Sequence, residues 1–290
     1  MDRFRHRRPG QQREHRAAHS RPRGPRLRRE VAGRGTCGSA AMNLLPVEIK
    51  VNVESDVRAA LAVLGGPHAT TTRQIWFAED RGGVAEGRVP LLEGGVIVRF
   101  RSGGGPDELT VKLRPCTPEQ LVGRFSAPFD ADHLTYKIEH DWSGSHHVLA
   151  ASLAHGHPPG TLSDAVAPGS DPGAPIDAVQ DQFLHTCRPT VAIDGLVALG
   201  PVLSTKVDDV PLDDLEVDLE AWSVAGLEFL EASIRVKPKD EDDAEKLSKR
   251  AERKQRKLEE AVKARGVVLS ERPENKTGRV LTALAAAWQP

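Results

Sequence analysis

Four basic side chains occupy alternate positions on two neighbouring strand-like segments. Arg99 and Arg101 lie on the first, and Lys112 and Arg114 lie on the second, beyond the glycine-rich segment 103–107. Side chains two residues apart on a β-strand point to the same face of the sheet. The four cations are therefore expected to converge on one face of a hairpin. Arg and Lys in such an array bind phosphate oxygens through charge-assisted hydrogen bonds, which makes this hairpin a candidate anion site.

Carboxylates alternate with apolar residues in the same way on further segments. They are Glu48, Glu139, Asp141, Glu216, Asp218, Glu220 and Glu231. Taken singly, each segment is typical of a sheet with one face in water. Several such strands in one chain favour closure into a barrel, because the charged faces would then line a lumen. A cationic wall for polyphosphate would face an acidic wall for a divalent metal ion.

The elements that would position these side chains follow from the same periodicity. One helix is predicted from Ser55, a possible cap, to Leu64, and a second is predicted around Ile176–His185. A long solvated helix is predicted after Pro238 as far as Arg265, and it is expected to dock on the domain exterior. Strands are predicted at Glu48–Glu54, Thr72–Ala78, Val96–Arg101, Leu109–Arg114, Leu134–Asp141, His147–Ser152, Val191–Val197, Val202–Asp208, Leu215–Glu220 and Glu228–Val236. Most of the pairings are expected to be antiparallel.

Charge divides the chain into two parts. Residues 1–41 carry twelve Arg and three acidic residues, a local charge of +9, and the remainder carries −10. The basic segment lacks apolar periodicity and is predicted to be disordered, and Met42, just before the first strand, is favoured as the natural start. We therefore expect a tail over 1–41, a β-rich domain over 42–238 and a helical C-terminal extension over 239–290.

Composition also excludes several classes of function. The acidic balance after residue 41 argues against nucleic acid as a partner, and no apolar run is long enough for a membrane-spanning helix. Three scattered cysteines without a CxxC pair favour a reducing cytosol, so a cytoplasmic location is expected. The chain has no P-loop, HExxH or GxSxG motif. The pairs His146-His147 and His155-x-His157 lack an accompanying carboxylate or cysteine at ligand spacing, which disfavours zinc.

An ordered set of short segments resembles the CYTH family of triphosphate tunnel proteins over about residues 46–236. The segments are Val47-Glu48-Ile49-Lys50, Val98-Arg99-Phe100-Arg101, Leu109-Thr110-Val111-Lys112-Leu113-Arg114, Lys137-Ile138-Glu139-His140-Asp141, Glu216-Val217-Asp218 and Phe229-Leu230-Glu231. The resemblance implies an α+β fold, a closed antiparallel β-barrel (tunnel) of about eight strands with helices packed outside. It also implies metal-dependent hydrolysis of a small-molecule triphosphate or polyphosphate, with Mg²⁺ or Mn²⁺ as cofactor.

The resemblance assigns a role to individual side chains. Phosphate oxygens would be bound by Lys50, Arg99, Arg101, Lys112, Arg114 and Lys206. Metal would be held by Glu48, Glu139, Asp141, Glu216 and Glu231. Glu48, Lys50 and Asp218 are the predicted catalytic residues. These roles suit phosphoryl transfer, which depends on charge neutralisation and a positioned water.

Two positions depart from the family pattern. Pro46 stands where the first strand of the family has a glutamate, and Ser233 stands where the closing strand has its second glutamate. Both changes remove carboxylates, so they bear on metal binding more than on phosphate binding. A slow hydrolase, an enzyme with another substrate and a catalytically impaired polyphosphate or nucleotide-binding protein all stay open, as does an open sheet that serves as an interaction module. No substrate identity or oligomeric state is predicted.

Overall fold

The computed structural model describes residues 44–54, 56–270 and 276–289. The predicted tail over 1–41, Met42 and the capping role of Ser55 lie outside these ranges. The strands are β1 (Val47–Val53), β2 (Thr71–Asp80), β3 (Val96–Ser102), β4 (Asp107–Cys116), β5 (Phe129–Ala131), β6 (Leu134–Ser143), β7 (His146–His157), β8 (Leu196–Leu212), β9 (Leu215–Val224) and β10 (Leu227–Val236). The helices are α1 (Val57–Gly65), α2 (Arg81–Ala85), α3 (Pro90–Glu93), α4 (Ala178–Cys187), α5 (Ala244–Ala264) and α6 (Lys276–Ala287).

Within the described residues, nine strands close into a barrel. Their order around the barrel is β1-β10-β9-β8-β2-β3-β4-β7-β6, and the pairing of β6 with β1 closes the ring. The short strand β5 pairs with one end of β6. The predicted closed barrel with helices outside is confirmed. The predicted count of about eight strands is slightly low, and the mostly antiparallel pairing that was predicted has one exception, because β1 and β6 run parallel. Strand directions alternate in an antiparallel ring, so a ring with an odd number of strands needs one parallel pair.

The apolar face of β1 points outward. In β1, Val47, Ile49, Val51 and Val53 are buried, whereas the alternating polar side chains point into the barrel. These four apolar side chains pack in one cluster with Leu247, Ala251, Leu258 and Val262 of α5. Each fully buried Val or Leu contributes about 1.5–3 kcal/mol of hydrophobic free energy. Along β1 and α5, the hydrophobic core therefore lies between the barrel wall and the helix, and the inward positions of β1 are left to polar side chains.

Two other helices pack against the barrel, α4 on its outer face and α6 on apolar side chains that face the lumen. In α4, Phe183 is fully buried, and the Gln180 side-chain amide donates hydrogen bonds to the carbonyl oxygens of Leu109 and Leu153. In α6, Val280 and Leu281 are buried in a cluster with apolar residues of β2 and β9. None of the described helices is long and apolar enough to cross a membrane. The predicted division of the chain at residue 238 stays a prediction.

Strand β8 differs from its prediction. The structure has one strand, Leu196–Leu212, where two strands separated near Gly200-Pro201 were predicted, and residues 191–194 are not part of it. The β2–β8 register shifts at this dipeptide, so that two residues oppose Trp76 as in a β-bulge. Gly200 is required because its φ is 144° and a Cβ there would lie 2.8 Å from the Ile75 carbonyl oxygen. The bulge lets the strand continue through a proline.

Candidate functional site

The barrel encloses a cavity of about 670 Å³ whose lining is mostly charged. Every site residue predicted from the sequence lines this cavity, because each occupies an inward position of its strand. These residues are Glu48, Lys50, Arg99, Arg101, Lys112, Arg114, Glu139, Asp141, Lys206, Glu216, Asp218 and Glu231. The roles predicted for them stay predictions. Their shared location makes the tunnel the candidate functional site.

The centre of the tunnel holds a buried carboxylate surrounded by cations. Asp141 Oδ2 lies 3.1 Å from Lys50 Nζ, 3.4 Å from Lys112 Nζ and 2.7 Å from Arg114 Nε. The contact with Arg114 is an ion pair without hydrogen-bond geometry. We call these four residues the Asp141 cluster. The Asp141 side chain has no solvent exposure, so its charge depends on these cations.

A second carboxylate adjoins the cluster across the parallel pair of strands. Glu48 is in register with Asp141, and its Oε2 lies 2.9 Å from Lys50 Nζ. Burial alone would raise the pKa of both carboxyls, but the neighbouring cations outweigh it. Lys50 and Lys112 lower the pKa of Glu48, and together with Arg114 they hold the pKa of Asp141 well below its usual range. Both carboxylates are therefore ionised at neutral pH.

The cations of the tunnel differ in how well they are neutralised. Burial disfavours the charge of Lys50, but Glu48 and Asp141 outweigh it and raise its pKa. The pKa of Lys112 is lowered by burial and by the charge of Lys50. Burial and Arg101 lower the pKa of Arg99 to about 10. Lowered pKa values in basic groups indicate too little negative charge nearby, so an entering anion would stabilise this wall.

Glu108 joins the two arginines of β3 although its role was not predicted. Its Oε1 lies 3.5 Å from Arg99 and 3.4 Å from Arg101 and accepts a hydrogen bond of 2.8 Å from the Thr110 hydroxyl. Burial would raise the pKa of Glu108, but the two arginines lower it overall. Its position on β4, two residues before Thr110 on the same face, is the sequence signal that could have identified it.

Helix α6 places a lysine inside the barrel. Lys276 Nζ lies 2.7 Å from Glu220 Oε2, 3.4 Å from Glu231 Oε1 and 4.3 Å from the centre of the Trp222 ring. We call Lys276, Glu220 and Glu231 the Lys276 cluster. Burial would raise the pKa of Glu220, but Lys276 and Arg101 lower it well below its ordinary value. Strand periodicity could not identify Lys276, because this residue lies on a helix. The signal in the sequence is a lysine at the first position of an otherwise largely apolar helix.

The remaining predicted residues are more dispersed. Glu139 forms an ion pair of 2.7 Å with Arg235. Lys206 contacts Asp208 and Asp218 at a more exposed part of the lining, where 41% of its side chain is exposed. The predicted catalytic residue Asp218 therefore forms its ion pair with Lys206. Ser233 is in register with both Lys50 and Asp218, so its short side chain separates the two.

Glu48 and Asp141 are the candidate ligands for a magnesium ion in the tunnel. No three His, Cys, Asp or Glu side chains in the described ranges are grouped to hold a metal ion. Protein-bound Mg²⁺, however, usually takes one or two carboxylates, and substrate phosphates and water complete its shell. Glu48 and Asp141 supply such a pair, and Asp141 Oδ1 is buried with no hydrogen-bond partner among the described residues. The two carboxylates fit a metal ion shared with a bound phosphate.

Comparison with solved structures identifies the fold. No protein-family model matches the sequence, and no curated protein matches it. HpAC1 from Hippeastrum, a candidate adenylyl cyclase described as having a dominant triphosphatase activity, superimposes with a TM-score of 0.53 at 15% identity, over 82% of this chain and 96% of that one. A candidate adenylate cyclase from Bacillus halodurans gives a TM-score of 0.48 at 14% identity, over 81% and 96% of the two chains.

The fold defines the class of protein to which this chain is similar. The chain has the fold of the CYTH-type triphosphate tunnel proteins, as its resemblance to that family predicted. At 15% identity, the likeness extends to the fold alone.

Proposed function

We propose that the tunnel binds the triphosphate group of a small molecule and hydrolyses it with Mg²⁺ or Mn²⁺. The observation that carries the proposal is the Asp141 cluster, in which three described cations share one buried carboxylate inside an enclosed cavity. A triphosphate brings several negative charges that such a wall can neutralise. The fold shared with a protein whose described activity is that of a triphosphatase supports the proposal.

The first step is binding by the cationic wall. Phosphate oxygens replace the Asp141 carboxylate as partners of Lys112 and Arg114, and Arg99 and Arg101 bind the neighbouring phosphate. Phosphoryl transfer spreads charge over the oxygens of the transferred group, so cations held at fixed positions stabilise its transition state. Strand positions hold these side chains in place, and the closed barrel limits water around them.

The second step is attack by water. Glu48 and Asp141 would hold the metal ion, which supplies additional neutralisation of phosphate charge. The Glu48 carboxylate, ionised because Lys50 and Lys112 lower its pKa, orients the attacking water and accepts its proton. The bond between the water oxygen and phosphorus forms as a phosphoanhydride bond breaks, and the departing phosphate carries the electron pair.

Binding without hydrolysis is the second candidate function. Pro46 and Ser233 replace two carboxylates of the family pattern, and the Pro46 carbonyl oxygen is already occupied by the backbone N–H of His140 at 2.9 Å. If the remaining carboxylates do not hold the metal ion, the cationic wall still binds triphosphate. A cytoplasmic location belongs to both candidates, and it is supported by the buried free thiols of Cys116 and Cys187.

Phosphate release separates the two candidates. The full chain is incubated with inorganic triphosphate or ATP in the presence of Mg²⁺, Mn²⁺ or EDTA, and released phosphate and pyrophosphate are measured. We expect metal-dependent release that falls about 100-fold or more in Glu48→Gln, with triphosphate affinity largely kept. Tight, salt-sensitive binding without release would favour the binding protein. Absence of both release and binding would contradict both candidates.

A further inference from the structure

A second cavity of about 610 Å³ lies outside the barrel. Its walls are the turn between β8 and β9, the end of β10 with the residues that follow it, and one side of α5. Basic side chains outnumber acidic ones in the lining, with Arg235, Lys237, Lys239, Arg250 and Lys254 against Asp213, Asp214 and Glu216. We call this cavity the exterior groove. It takes no part in the mechanism given above.

The exterior groove meets the tunnel at the end of β10. Glu216, Ile234, Arg235 and Lys237 line both cavities. Arg235 and Lys237 are exposed, so their side chains lie at this end of the barrel rather than deep in the lumen. A linear anion that extends from the tunnel at this end would therefore pass directly along the exterior groove.

The groove contains cations that have few partners. No described residue forms an ion pair with the side chain of Lys237 or Lys239, both of which are exposed. Lys254 is loosely paired, because its Nζ lies 4.0 Å from Asp214, a carboxylate that Lys257 contacts at 2.7 Å. Arg250 differs, because Asp242 binds it at 2.6 Å and the Lys237 carbonyl oxygen accepts a hydrogen bond from it. Lys237, Lys239 and Lys254 are thus available to an anionic ligand.

We propose that the exterior groove binds the distal phosphates of a long linear polyphosphate whose end lies in the tunnel. The inference rests on the proposed function and extends it to the length of the phosphate chain that the protein binds. Once one end is held in the tunnel, the following phosphates meet the groove at a high effective concentration, so even weak contacts with exposed lysines raise the affinity. Among the described residues, none of the side chains that line the groove is aromatic, so they offer no platform on which the bases of a nucleic acid could stack.

The test compares two chain lengths on matched variants. Dissociation constants for inorganic triphosphate and for long-chain polyphosphate are measured at several salt concentrations for the wild type and for the double variant Lys239→Gln, Lys254→Gln, whose two lysines line the groove and not the tunnel. The control is Lys249→Gln, Lys263→Gln, which removes the same charge from exposed positions of α5 outside the groove. All proteins keep residues 1–41, so nonspecific attraction of polyanions by their twelve arginines is common to all.

We expect the groove variant to bind the long chain about fivefold more weakly than the control, with a shallower salt dependence and unchanged affinity for inorganic triphosphate. Equal affinities of the two variants for the long chain would overturn the groove proposal while leaving the tunnel intact. Weaker binding of both ligands by the groove variant would also overturn it, since the lysines would then act on the tunnel. Failure of the wild type to bind triphosphate would instead reject the proposed function. Single-stranded nucleic acid that competes as well as polyphosphate would contradict the choice of ligand.

Discussion

The two charged clusters of the tunnel have opposite compositions. Among the described residues of the Asp141 cluster, three cations share one carboxylate, whereas in the Lys276 cluster one lysine lies between two carboxylates. Neighbouring cations outweigh burial and lower the pKa of Asp141 in the first cluster and of Glu220 in the second. In the Asp141 cluster, burial and the charge of Lys50 also lower the pKa of the Lys112 ammonium group.

This difference separates a surface that attracts an anion from one that is already neutralised. An anion that enters beside Lys112 meets cations with too little negative charge around them, so binding is favoured there. Lys276 already contacts Glu220 and Glu231 and stacks on Trp222, and it connects α6 to the inner wall of the barrel. We therefore interpret the first cluster as the binding centre and the second as a link between helix and barrel.

The largest expected effect is on stability at the Asp141 cluster. Asp141→Asn leaves three buried cations without their shared carboxylate, which should lower the free energy of unfolding by about 3 kcal/mol at neutral pH. Because the pKa of Asp141 is lowered in the folded protein, its contribution is complete above about pH 5 and is lost as the pH falls further. Urea unfolding at neutral and acidic pH measures both. The control Asp208→Asn removes an exposed partner of Lys206 and should cost under about 1 kcal/mol; equal losses would contradict the comparison.

A somewhat smaller loss of stability is expected at the Lys276 cluster. Lys276→Met keeps an apolar stem but leaves Glu220 and Glu231 without their shared lysine, so the free energy of unfolding should fall by about 2 kcal/mol. Limited proteolysis should then cut near α6 faster than in the wild type, because the link between helix and barrel is lost. Unchanged stability and proteolysis would show that Lys276 does not connect α6 to the barrel.

The pH dependence of binding tests the state of Lys112. Its pKa is lowered in the free protein, so affinity for triphosphate should fall as the pH rises, beginning below the value of about 10.4 at which an ordinary lysine titrates. Lys112→Arg keeps its charge across this range and should move the loss of affinity to higher pH. Titrations in EDTA between about pH 7 and about pH 10 measure the profiles. Superimposable profiles would show that Lys112 does not control the affinity.

The smallest effect is expected at the exposed part of the lining. Lys206 is paired with Asp208 and Asp218, and 41% of its side chain is exposed, so Lys206→Gln should change triphosphate affinity by less than about threefold. Calorimetric titration measures the change. A loss as large as that of a variant at Lys112 would place the binding centre nearer to Asp218 and would undo the contrast between the two clusters.

Strand periodicity was sufficient to predict which side chains share the tunnel, because alternate residues of a strand must point to one face. It could not predict which of them touch. Glu48 and Asp141 become neighbours through the parallel closure of β1 on β6, and these strands are far apart in the chain with no turn to set their register. Asp218 and Lys206 meet across β8 and β9. Lys276 enters the barrel from a helix, where a period of two carries no information.

The most direct test of the account is binding of inorganic triphosphate by the full chain in EDTA, measured by calorimetry at fixed salt. The double variant Lys50→Gln, Lys112→Gln is compared with Lys249→Gln, Lys263→Gln, which removes the same charge outside the tunnel, after unfolding curves show that both are folded. We predict about 100-fold weaker binding by the tunnel variant and an affinity within about twofold of the wild type for the control. Equal affinities of the two variants, or no binding by the wild type, would contradict the assignment of the tunnel as a triphosphate site.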